Sequence, residues 1–121
     1  MPPSVSWFVQ GEIDRRKFED YLLNPEHPDG RHKLRLWSSM LGIGQADTDL
    51  AISLIREQLP RAAVKERPGV PIRGLGQTIP RWELVIPDFR GPAGEAPVLT
   101  AWARDPRAAG PHLTTAFPLV E

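Results

Sequence analysis

Residues 24–42 read NPEHPDGRHKLRLWSSMLG, and the rest of the chain has to be arranged around what this stretch does. Asn24-Pro25 ends whatever precedes it. Pro28-Asp29-Gly30 then turns the chain into a predicted helix from Asp29 to about Leu41, with Asp29 as N-cap, Gly30 tolerating the turn and Gly42 as the C-terminal stop. An α-helix advances about 100° per residue. With Lys33 at zero, Met40 lies at about −20°, Trp37 at about 40°, Leu36 at about −60°, Leu41 at about 80° and Leu34 at about 100°. Lys33 therefore falls near the middle of the apolar arc. Arg31 and Arg35 point to solvent, and His32 sits on the flank at about −100°.

A lysine aimed at apolar neighbours needs a partner or an exit, because an unpaired buried ammonium is costly. One outcome is that the stem covers Trp37 while the amine reaches water. The other is a fixed positive charge at a cleft between helix and sheet, able to bind an anion or to stabilise one that develops in a reaction. His27 bears on the choice. It stands just before the helix start, where free N–H groups and the macrodipole attract anions. A phosphate there would meet His27, the amides near Gly30 and Lys33 together. The plainer reading of His27 is a turn residue packed between Pro25 and Pro28.

Working outward, Val5–Val9 (VSWFV) reads as a short edge strand or a tether. Asp14 is predicted to cap a helix over Arg15–Leu23, with Phe18, Tyr21 and Leu22 on one face. A third helix is predicted from Asp47 or Thr48 to Leu59. Leu50, Ala51, Leu54 and Ile55 form its buried stripe, and Pro60 follows its end. Residues 61–77 (RAAVKERPGVPIRGLGQ) are basic and rich in glycine and proline, and predict a short strand over Ala62–Glu66 followed by loop. Trp82, Leu84 and Ile86 alternate with Glu83 and Val85 as in a strand. Pro97–Ala103 and His112–Phe117 are two more, set apart by the turn-rich DFRGPAGEA and RDPRAAGP. The expectation is a single α+β domain over residues 1–121, with two or three N-terminal helices packed on a C-terminal antiparallel sheet of three to four strands.

Composition narrows the function classes. Fifteen basic residues balance fifteen acidic ones in the 121-residue chain, so bulk charge points to no nucleic-acid or membrane partner and any anion site must be local. The chain has no cysteine, which excludes disulfides, thiolate catalysis and cysteine zinc sites. MPPSVSWFVQGEID lacks a secretory pattern, and no segment approaches the roughly 18 apolar residues of a membrane helix. No membrane partner is expected, and the expected location is cytoplasmic. His27, Asp29 and His32, with Glu26 adjacent, lack an i, i+4 ligand pair, so neither a metal nor a cofactor is expected. Ser38-Ser39 lie mid-helix with no G-x-S-x-G elbow. Gly42-Ile43-Gly44 and Gly74-Leu75-Gly76 read as loops without a dinucleotide or P-loop pattern.

The run from Tyr21 to Gly42, YLLNPEHPDGRHKLRLWSSMLG, and the closing TAFP of Thr115–Pro118 resemble a family of uncharacterised bacterial domains of about this size. Its pattern is close to YLLNP-x-HP-x-G-x-x-K followed by an aromatic residue and LG. Tyr21, Leu22, Leu23, Asn24, Pro25, His27, Pro28, Gly30, Lys33, Leu41 and Gly42 match. Ala101-Trp102 is similar to the family's penultimate strand. Leu34 stands where alanine is common, and Trp37 supplies the aromatic position where phenylalanine is common. Members occur alone and at the C-termini of large secreted bacterial proteins, where polymorphic toxin domains sit. The order of helices then antiparallel sheet is also similar to barnase-like and colicin-like ribonuclease toxins. The resemblance supplies positions rather than a reaction.

Three functional expectations follow. The first is a toxin-like, nucleic-acid-directed domain that cleaves RNA without a metal. Such a reaction needs a base, an acid and a cation for the phosphorane. His27 or His32 would be the base, Lys33 the electrostatic stabiliser, Thr115 the holder of the phosphate or orienter of the base, and His112 the acid. Arg61, Lys65, Arg67 and Arg73 would track a phosphate backbone, unless they form only a solvated loop. The second is a non-catalytic protein-interaction module, an adaptor or immunity-type partner. The third is a binder of a small phosphorylated ligand at the same helix start.

Overall fold

Alternation of large apolar and polar residues sends the C-terminal half of the chain into four strands. The structure, a computed structural model, describes residues 3–74 and 76–120. Strands β1 (Ala63–Ile72), β2 (Gln77–Arg90), β3 (Glu95–Ala103) and β4 (His112–Pro118) form an antiparallel meander in the order β1-β2-β3-β4. Trp82, Leu84 and Ile86 of β2, Val98 and Trp102 of β3, and Leu113 and Ala116 of β4 are buried on one face. Against that face pack α1 (Val5–Val9), a π-helical turn (Phe18–Leu22), α2 (Gly30–Leu41) and α3 (Thr48–Gln58), which contribute Phe8, Phe18, Leu22, Trp37, Leu41 and Ile55 to the same core. This is the expected α+β architecture, helices first.

Three local expectations are corrected. Val5–Val9 is a helical turn and not an edge strand. Adjacent residues of a strand point to opposite faces, whereas on a helix they lie about 100° apart. Trp7 and Phe8 can thus both meet Trp82 edge-on, at ring separations of 5.3 and 5.5 Å. Arg56 Nη1 pins the segment by donating to the carbonyls of Val9 and Gly11 at 2.8 and 3.0 Å.

β1 does not stop at Glu66. Its register with β2 breaks between Arg67 and Val70 and resumes with Val70↔Ile79 through Ile72↔Gln77. Pro68-Gly69 fills the break, which an edge strand tolerates because one side of it needs no ladder bonds. Gly74 and Gly76 supply the positive φ values of 81° and 61° that the hairpin turn requires. Leu75, between them, lies outside the described residues.

In α3 the buried positions are Thr48, Ala51, Ile55 and Gln58, and Leu50 is 37% exposed. The stripe follows i, i+3, i+7, i+10 and leaves Leu50 on its flank. Gln58 fixes the helix end to β2: its Nε2 donates to the Arg90 carbonyl at 2.9 Å and its Oε1 accepts from the Arg90 amide at 2.8 Å.

The element that matters most for the site is α2. It runs beside β4, the edge strand, and its Trp37 Nε1 donates to the Ala116 carbonyl at 3.1 Å, an edge group with no strand to pair it. Its C-terminal end is held by the β2–β3 turn, where the Ala93 amide donates to the Leu41 carbonyl at 3.0 Å. Gly42 then leaves the helix with φ 73°. Both anchors fix how far along β4 the side chains of the first turns of α2 can reach.

Candidate functional site

The connection from the π-helical turn to α2 places Lys33. The Asn24 Oδ1 accepts from the Glu26 amide at 2.9 Å and starts the turn. His27 Nδ1 then accepts from the amides of Asp29 and Gly30, at 3.0 and 2.9 Å. His27, rather than the expected Asp29, therefore caps α2; the Asp29 side chain makes no cap bond. Two consequences follow. An Nδ1 that accepts leaves the ring hydrogen on Nε2 of the neutral imidazole. The amides of Asp29 and Gly30, which a phosphate at the helix start was expected to meet, are taken by His27.

Gly30 is the second fixed point. A Cβ at this position would lie 1.7 Å from the Tyr21 carbonyl oxygen, so only glycine lets α2 start this close to the π-helical turn. The approach sets the Tyr21 ring 4.8 Å from the His27 ring and turns its hydroxyl toward α2. Lys33 Nζ donates to the Tyr21 hydroxyl and, at 3.3 Å, to Thr115 Oγ1 on β4. It also lies 4.6 Å from the Tyr21 ring centroid and 5.2 Å from that of Phe117. The stem is half-buried as snorkelling requires, yet the amine is anchored. Both its hydrogen-bond acceptors are neutral hydroxyls. Among the described residues no carboxylate lies within ion-pair distance of it.

This arrangement acts on Tyr21. Burial raises its phenol pKa, but hydrogen bonds with Lys33 and Thr115 and the ammonium charge outweigh burial and hold it below the ordinary value of 10.0. Tyr21 is the one tyrosine of the chain, so a phenolate absorbance titration reads it alone. The expected midpoint is below 10 in the native protein and above 10 in Lys33→Met, where burial is left largely unopposed. Equal midpoints in the two proteins would show that the ammonium does not act on the phenol.

The predicted site residues separate clearly. Lys33 and Thr115 meet, and His27 joins them through the Tyr21 ring. His112 opens β4 opposite Ala103, with a bridge to Glu12. It stands three residues, about 10 Å of strand, from Thr115. His32 is exposed on α2 and makes no side-chain hydrogen bond among the described residues. Tyr21 is the group that sequence reasoning missed. Its helical spacing with Phe18 and Leu22 explained it as a core residue, and only its place in the YLLNP run set it apart.

A cavity of about 510 Å³ opens beside the cluster, lined by Tyr21, His27, Asp14, Lys17, Asp20 and Asp29, together with Arg16. Hydrogen bonds from the Arg16 side chain and amide hold the Asp14 carboxyl down at about 2, which locks these two together as an exposed pair. Among the described residues no three His, Cys, Asp or Glu side chains are placed to hold a metal ion, and no helix is long and apolar enough to cross a membrane.

A family model whose description is a domain of unknown function, DUF6883, matches residues 8–120. That span takes in every member of the cluster. No curated protein and no solved structure matches the chain.

Proposed function

We propose that this chain, which belongs to the DUF6883 family of domains of unknown function, is a toxin-like RNA-cleaving domain that works without a metal. The observation that carries the reading is the Lys33 ammonium held between the Tyr21 and Thr115 hydroxyls, with no carboxylate among the described residues within ion-pair distance of it. A fixed cation held by hydroxyl groups rather than by a carboxylate is suited to an arriving phosphodiester.

The reaction is attack of a ribose 2′-oxygen on the adjacent phosphorus, which breaks the bond to the 5′-oxygen and leaves a 2′,3′-cyclic phosphate. The 2′-hydroxyl proton passes to Tyr21 as phenolate, a form favoured by its lowered pKa. Lys33 neutralises charge on the phosphorane and gives a proton to the departing 5′-oxygen. The hydrogen bond between Tyr21 and Lys33 then returns the proton, and the pair is restored. Thr115 accepts from Lys33 and turns its one hydroxyl hydrogen to the Tyr21 oxygen, which orients the base. His27 Nε2–H has a hydrogen to offer a phosphate oxygen, while its Nδ1 stays in the cap. A protein partner that seats a carboxylate against Lys33 would silence the site, which is how an immunity-type pairing would work.

The test is incubation of the purified protein with total RNA in a chelator, beside Lys33→Met. The expected result is cleavage to fragments with 2′,3′-cyclic ends, slowed about 10²–10³-fold in the variant. Intact RNA with the native protein, or equal cleavage by both, overturns the reading. Stoichiometric capture of one protein partner with RNA left intact would favour the interaction module.

A further inference from the structure

The sheet face turned away from the helices carries two paired rows. Strand register sets Lys65, Glu83, Ala101 and Thr115 side by side, and next to them Arg67, Arg81, Ala103 and His112. Trp82 and Trp102 alternate with these residues and point into the core. The β3–β4 register shifts between Ala101 and Trp102. The shift leaves Thr114 as an extra residue, whose hydroxyl donates to the Ala101 carbonyl at 3.1 Å. There the face dips into a cavity of about 280 Å³ lined by Arg67, Arg81, Glu83, Ala101 and Thr115. Thr115 belongs to both places: it lines this cavity and accepts from Lys33.

Arg67 and Arg81 stand directly opposite each other. Like charges in that position destabilise a sheet. The one carboxylate in ion-pair reach of them, among the described residues, is Glu83, 3.8 Å from Arg67 Nε. Arg81 Nε donates instead to the Pro68 carbonyl at 2.9 Å. Lys65 stands opposite Glu83 on the same face, and Lys33 meets Thr115 at its β4 edge, in a chain whose charges balance overall. Arg61, by contrast, is engaged elsewhere, by Asp88 at 3.0 Å.

We propose that this face is the track of a single-stranded polynucleotide, with the Arg67–Arg81 pair holding the phosphate next to the one at Lys33. The proposal rests on the RNA reading of the Lys33 site and extends it to a polymeric substrate. Thr115 and Arg81 are two strands and two residues apart, about 12 Å. One phosphate cannot occupy both, whereas neighbouring phosphates of a strand can be reached by the two long side chains. A positively charged groove is what the backbone of a single strand follows.

The test is binding of a labelled all-deoxy oligonucleotide, which lacks the 2′-hydroxyl and is not cut, followed against salt. Arg67 and Arg81 are exposed, so Arg67→Gln and Arg81→Gln leave the core intact. Each is expected to weaken binding and to lower the slope of log affinity against log salt by about 0.7. A mononucleotide should bind both variants and the native protein alike. Native slope and affinity in both variants, absence of binding by the native protein, or equally tight binding of an oligoglutamate of the same charge overturns the track. Because the probe cannot be cleaved, loss of RNA cleavage activity with the salt slopes as expected would remove the catalytic reading and leave the track standing.

Discussion

Gly30→Ala is expected to destabilise the protein by about 2 kcal/mol net. The added methyl would sit 1.7 Å from the Tyr21 carbonyl oxygen, 2.6 Å from its carbon and 3.1 Å from the ring Cδ1. The first two are backbone atoms, so no rotamer change relieves the overlap. The chain must move, at the upper end of the roughly 1–3 kcal/mol that overpacking costs. Alanine returns about 1 kcal/mol of helix propensity in the first turn of α2, which is too little to reverse the sign. Urea unfolding followed by tryptophan fluorescence measures the difference. Gly110→Ala is the control, since a methyl there meets nothing within 4 Å and should change stability by less than about 0.5 kcal/mol. The substitution also acts on the site. To make room, Tyr21 must retreat from α2 and away from Lys33, so the phenolate midpoint should rise toward that of Lys33→Met. A Gly30→Ala protein as stable as the native one, with the native midpoint, would show that the contact is not what holds the two groups together.

The course of α2 was legible because Gly30, Trp37 and Leu41 repeat at helical spacing and Gly42 ends the run. That same periodicity pointed Lys33 toward the sheet. The sequence also paired Lys33 with Thr115, through a resemblance at both ends of the chain rather than by any local rule. What was hidden has a common cause. The His27 cap depends on a ring nitrogen reaching two residues forward, which propensities for Asp and Asn at helix starts do not encode. Tyr21 was explained too well by its apolar face to be noticed for its hydroxyl. The basic sheet face was half visible, since Lys65 and Arg67 lie in one short run. Arg81 and Glu83 enter it only through the β1–β2 register, and that register was obscured by the Pro68-Gly69 bulge, which reads as the start of a loop.

Tyr21→Phe is expected to lower RNA cleavage about 10²–10⁴-fold and to abolish its dependence on pH in the alkaline range. The sign follows from the phenol. If the phenolate takes the 2′-proton, the rate rises tenfold per pH unit below the Tyr21 midpoint; above it the phenolate gives no further rise, and the step still needs Lys33 as ammonium. That midpoint lies below 10.0, because the hydrogen bonds and charge at Lys33 and Thr115 overcome burial. The same depression stabilises the fold only at pH values above the unfolded phenol pKa, and that contribution is lost as pH falls through the native midpoint. Well below the native midpoint both folded and unfolded chains carry the neutral phenol, so ionisation adds nothing to stability there. The variant then loses one hydrogen-bond partner of Lys33, about 1 kcal/mol, far short of unfolding a domain of this size. A fall in rate at neutral pH is therefore a loss of chemistry. The rising limb of the pH profile must also coincide with the phenolate absorbance midpoint, two independent readings of one group. Native cleavage rates in Tyr21→Phe, or a limb that survives the substitution, would take the proton transfer away from Tyr21. Lys33 and Thr115 would then remain as an electrostatic site served by another base.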